Sequence, residues 1–115
     1  MRRNKTLTNM QAFTFGIRFR FDTAEFYETT FELALSQEEI VFVKAYLKEN
    51  GDMPFWAFEF ENEALFKRMM DAHIAAILAY VNKNVVEPGD EPFTEETVSW
   101  DYVWAEFDWP EELLG

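Results

Sequence analysis

His73 is the single imidazole in a chain of 115 residues that carries 22 carboxylates and no cysteine. The groups able to serve as general acids, general bases or metal ligands are therefore chiefly this histidine and the acids. A catalytic or ligating histidine works with partners. Four residues either side of His73 stand Met69 and Ile77, with Phe66, Met70 and Tyr80 close by, and no carboxylate falls at ligand spacing on that face. The pattern is that of a histidine at the edge of a core.

Glycoside hydrolysis needs two carboxyl groups roughly 5–10 Å apart, but in a chain this acidic the number of acids says nothing about their placement. Glu59, Glu61 and Glu63 alternate, and Glu95 with Glu96 and Glu111 with Glu112 are adjacent doublets, the arrangement of solvated surface acids. The Asp-x-Asp-x-Asp-Gly calcium loop is absent, and Glu87-Pro-Gly-Asp90-Glu91 offers too few oxygens in a tight arc. The four glycines are isolated, so no phosphate-cradling loop is present. Lack of cysteine removes disulfides, thiolate metal sites and thiol nucleophiles. The expectation is a chain with no catalytic residue, no cofactor and no metal. A small enzyme that uses paired carboxylates in an aromatic pocket is kept as an alternative.

The densest chemistry lies elsewhere. Residues 87–115 hold ten carboxylates, six aromatic rings and neither lysine nor arginine. Tryptophan and tyrosine are favoured anchors of protein interfaces, and a negative field speeds encounter with a positive partner. Trp100, Asp101, Tyr102, Trp104, Glu106, Asp108 and Trp109 are accordingly the candidate partner-binding residues. The competing use of the same rings is a strand whose aromatics fill the core.

Elements must position those rings. Phe13, Phe15, Ile17, Phe19 and Phe21 alternate with Thr14, Gly16, Arg18, Arg20 and Asp22, a period of two that predicts a strand over about 12–22 with one buried face. Tyr27, Thr29, Phe31, Leu33 and Leu35 repeat the pattern over about 26–35. The two runs predict an antiparallel hairpin. Pairing apolar with apolar requires an even register sum, hence an odd-length loop. A sum near 48 sets Arg20 opposite Glu28 and Arg18 opposite Thr30. Gly16, in mid-strand, calls for a bulge or for close approach by another group, such as Trp56.

Ser36 followed by Glu39 forms a capping box, and Gly51 is a natural terminator, which together predict a helix over 37–50. Residues 52–61 read equally as a short strand or as a helical turn after Pro54. Leu65, Phe66, Met69, Met70, His73, Ile74, Ile77, Tyr80 and Val81 predict a second helix over about 62–82. Two prolines and a glycine in 87–92 predict a loop. Val98, Trp100, Tyr102 and Trp104 then alternate as a strand over about 97–108, while Trp100, Val103, Trp104 and Phe107 also fit helical spacing. A phase change after Trp104 predicts a bulge there.

The fold class expected is α+β: a hairpin, two helices on one sheet face, and a C-terminal strand rejoining the sheet. The length predicts one domain over 1–115, with a flexible basic arm over 1–10. The formal charge is −12, which repels phosphate backbones, so no nucleic acid is expected as a partner. No apolar run approaches the ~20 residues that span a bilayer, so no membrane is expected. No signal-peptide pattern follows the basic N-terminus, and a cytoplasmic location is expected. The function expected is a small acidic, non-enzymatic interaction domain that binds a protein partner, a basic one being favoured by its charge, or itself as a homodimer. An inhibitor or immunity-type protein that neutralises a basic target by charge mimicry is the second reading.

Overall fold

The computed structural model describes residues 10–21, 25–98 and 103–114. Strand β1 (Gln11–Phe21) pairs antiparallel with β2 (Phe26–Leu35), and β3 (Val103–Asp108) adds to the other side of β1. The sheet order is β2-β1-β3, so the first strand lies in the middle. Helix α1 (Gln37–Asn50), a 3-10 turn at Phe55–Phe58, helix α2 (Glu63–Asn84) and a final helical turn α3 (Glu111–Leu114) complete the chain. The α+β class is as the residue patterns predict.

Alternation decides the layers. Phe13, Phe15, Ile17 and Phe19 are buried, and across β2 so are Phe31 and Leu35. Every fourth residue of α2 from Leu65 to Val81 is buried, with Ile40, Val43 and Leu47 from α1. A buried phenylalanine stabilises the fold by about 1.5–3 kcal/mol relative to an exposed one. The rings are also mutually placed: Phe15 stacks on Phe31 and Phe107 at 5.1 and 5.7 Å and meets the edge of Trp109 at 5.9 Å.

The hairpin register has the predicted even parity, but its sum is 46, not 48. Arg18 faces Glu28, Arg20 faces Phe26, and Thr30 faces Gly16. Arg20 thus lies opposite a ring, and the acid that Arg18 reaches is Glu106 of β3. Parity is fixed by which face is buried; the absolute register is set by the turn, whose residues 22–24 lie outside the described set. At Gly16 the β1–β3 register runs without a bulge, and the close group is Asp108: a Cβ built on Gly16 would stand 3.3 Å from the Asp108 Cβ. Trp56 is not the neighbour.

Helix α1 starts as its capping box dictates, with Ser36 N–H donating to Glu39 Oε1 at 2.8 Å and Glu39 N–H to Ser36 Oγ at 3.2 Å. It ends at Gly51, whose φ of 82° is accessible to glycine at no steric cost. Glu39 also pairs with Arg68 of α2, which in turn donates to the Ala34 carbonyl at 2.6 Å. One arginine thus ties both helices to β2. Ser36→Ala should lower unfolding free energy by about 1 kcal/mol in urea titrations; a change below about 0.3 kcal/mol would show that the cap is dispensable.

One open reading is decided, and two boundaries differ from expectation. Residues 55–58 are helical, burying Phe55 and Phe58 while Trp56 and Phe60 stay exposed, a spacing of three that suits a turn started by Pro54. Helix α2 runs two residues further, from an Asn62 cap to Asn84. Residues 95–97 form a turn, so the last strand does not begin at 97. Asn82 fastens the loop ahead of it, donating to the Phe93 carbonyl at 2.9 Å and accepting from its N–H at 2.7 Å.

Candidate functional site

On the sheet face away from the helices, side chains from three strands stand in rows. Because β1 pairs with both neighbours at even sums, its even-numbered residues share that face with the even residues of β2 and β3. One row is Phe26, Arg20 and Trp104. The next is Glu28, Arg18 and Glu106, and a third is Thr30, Gly16 and Asp108.

Within the first two rows the aromatics and the bases are interleaved. The Phe26 and Trp104 rings lie 5.5 Å apart and meet edge to face at 75°. The Arg20 guanidinium is 5.5 Å from the Phe26 ring centre and 5.9 Å from that of Trp104, and the Arg18 guanidinium sits over Phe26 at 4.6 Å. Arg18 also reaches Glu106 at 3.7 Å. Contacts of this kind are worth about 0.5–1 kcal/mol apiece at exposed sites. They set the rings in place without hiding them: Phe26 remains 38% and Trp104 45% exposed.

Of the residues expected to meet a partner, Trp104, Glu106 and Asp108 are brought together on this face. Trp100, Asp101 and Tyr102 lie outside the described residues. Trp109 does not belong with them. It is buried, its indole Nε1 donates to the Met53 carbonyl at 2.6 Å, and its ring packs on Phe107 at 5.0 Å and on Phe15. The strand register between Val103 and Asp108 is unbroken, so no bulge occurs there, and Val103, Ala105 and Phe107 all point towards the helices. Trp109, on that same parity, follows them inside.

Phe26, Arg18 and Arg20 complete the patch that residues 104–108 begin. Phe26 has the parity of Glu28 and not of Tyr27, which places it on the wet face; that signal is present in the sequence. What joins it to Trp104 is the pairing of β3 with β1, a contact distant along the chain.

His73 is on the opposite side of the sheet. Its ring is nearly enclosed by Phe31, Phe55, Trp56 and Phe107, whose centroids lie 5.5–6.4 Å away, and burial pushes its pKa down from 6.5 to about 4. The imidazole is neutral at pH 7. Among the described residues no group of three or more histidines and carboxylates is gathered that could hold a metal ion. No described helix is long and apolar enough to cross a membrane. Comparison with known families, curated proteins and solved structures finds no match to this chain.

Proposed function

We propose that the chain is a non-enzymatic protein-interaction domain whose contact surface is the outer sheet face around Phe26 and Trp104. The observation that carries this reading is the exposure of two large rings, fixed against each other and against two arginines, on a face whose rim is acidic. Pre-ordered aromatic side chains lose little conformational freedom on binding, and buried tryptophans dominate interface energetics. Beyond the N-terminal arm, residues 6–115 hold 22 acids against seven bases. The favoured partner is therefore a protein that presents basic side chains around an apolar centre.

A genetically encoded photo-cross-linker beside the patch, at Glu106, should capture such a partner in the native host. The purified pair should then bind with an affinity that falls as salt rises. Phe26→Ala with Trp104→Ala should weaken it by about 30-fold or more, equivalent to about 2 kcal/mol. Equal affinity for wild type and double variant would end the reading.

Self-association is the second reading, favoured by one observation: each of the first two rows sets an arginine between two like residues, rings in one and acids in the other, so that the Glu28–Arg18–Glu106 row alternates in sign. Two copies stacked about a two-fold axis would offset arginines against acids. Sedimentation velocity separates the readings, since a dimer lost in the Phe26 and Trp104 double variant would identify the second copy as the partner.

A further inference from the structure

Between α2 and β3, on the helix side of the sheet, lies a pocket of about 310 Å³ lined by Met70, His73, Ile74, Ile77, Val103 and Ala105, with Glu95 as its one carboxylate. We propose that this pocket binds a small, neutral, largely apolar molecule bearing one hydroxyl group, an alcohol or phenol, whose hydroxyl bonds to His73.

Three features carry the assignment. The first is the histidine. It is 6% exposed, and its enclosed Nδ1 has no hydrogen-bond partner among the described residues. A buried polar atom left unpaired costs about 1–3 kcal/mol, and native interiors satisfy nearly all such atoms. The rings packed around it, Phe31, Phe55, Trp56 and Phe107, meet it edge to face or tilted, and none of them bonds to Nδ1. His73 lines the adjoining pocket, and a turn of its ring about χ2 would present Nδ1 to a hydroxyl bound there, supplying the bond that the described residues do not.

The second is the wall. Two isoleucines, a valine, an alanine and a methionine present apolar surface, and methionine adapts to irregular shapes. A pocket of this volume is at the small end of the range that takes organic ligands, where a mostly apolar lining with one or two fixed polar groups is the rule.

The third is charge. A neutral imidazole has one donor and one acceptor nitrogen, and a hydroxyl, able to do both, suits either tautomer. A carboxylate or phosphate would face Glu95 and a body of net charge −12, with at most one imidazole N–H to receive it. An ammonium would have to leave water for a mainly apolar cavity. Neutral molecules remain. The site is on the opposite side of the sheet from Trp104 and stands or falls independently of the interaction surface.

The test uses the intact chain and three probes of one shape: 2-naphthol, naphthalene and 2-naphthoate. In heteronuclear NMR titrations 2-naphthol should shift the amides of Met70, His73, Ile77 and Ala105 and bind about tenfold more tightly than naphthalene; naphthoate should bind more weakly than either. His73→Leu should bring the first two probes to equal affinity. Ala105→Leu, which fills the pocket and leaves His73 in place, should abolish binding of both. The proposal is overturned if 2-naphthol fails to bind up to its solubility, if naphthalene binds as well to wild type, or if the shifts map to the outer sheet face.

Discussion

Phe107→Ala should destabilise the protein by about 3–5 kcal/mol, while Trp104→Ala, three residues earlier on the same strand, should cost less than about 1 kcal/mol. Phe107 is packed on Phe55 and Trp109 at 5.0 Å, on Phe15 at 5.7 Å and on Phe31 at 6.2 Å. Its ring therefore joins the central strand, β2, the 3-10 turn and the segment after β3. Truncation leaves a void that four aromatic neighbours cannot close without moving. Trp104 touches only Phe26 and Arg20 among the described ring contacts, on a wet face. Total stabilities of small domains lie near 5–15 kcal/mol, so the first variant should unfold at far lower urea. Equal costs for the two substitutions would mean that β3 is turned the other way.

Acid should destabilise the fold through one residue by about 3 kcal/mol between pH 7 and pH 4. In the unfolded chain His73 takes up its proton near the ordinary value of 6.5; in the folded chain, desolvated, only near 4. Between these values the unfolded state binds more protons, so stability rises with pH across that window and is lost as pH falls through it. Below about pH 4 both states are protonated and the loss levels off. The faces turned to the imidazole are Phe31 from β2, Phe55 and Trp56 from the 3-10 turn, Phe107 from β3 and Met69 and Ile77 along α2, with Glu95 on the shared pocket wall. Urea unfolding of wild type and His73→Leu from pH 4 to 8 isolates the effect, because the carboxylates common to both cancel in the difference. The variant should be at least as stable as wild type at pH 7 and should gain about 3 kcal/mol on it by pH 4. Parallel curves would show that the histidine titrates alike folded and unfolded.

Local chemistry was legible in the residues, and long-range pairing was not. Ser36, Glu39 and Gly51 specify α1 because a cap is made by residues within one turn of each other. The alternation from Phe13 to Phe19 specifies a face because successive strand side chains point opposite ways. The hairpin register was recoverable only to parity, since shifting it by two leaves each strand's buried face unchanged. Around residues 98–109 the aromatics fit two periods, and no local rule told which ring would meet Met53 or which side chain would lie against Gly16. Trp109 looked like a surface anchor because acids surround it; it is inside because Val103, Ala105 and Phe107 set the phase of the strand. The final turn, Glu111–Leu114, read as a pair of solvated acids, yet it buries Leu113 and packs against α1. The surface patch was half visible, as Trp104, Glu106 and Asp108, and its other half required knowing that β3 lies beside β1.

That strand order has a consequence for the order in which the chain is made. The ribosome delivers β1 long before β3, although β1 is the strand that needs partners on both sides. The hairpin and both long helices can assemble while residues 103–108 are still in the exit tunnel. Until then one flank of β1 presents bare amides and carbonyls along Gly16–Phe21, the kind of edge on which nascent chains pair with the wrong neighbour. The acids of β3 are delivered with the strand that closes the gap, so the edge finally shown carries Glu106 and Asp108, and an adhesive margin gives way to a repellent one.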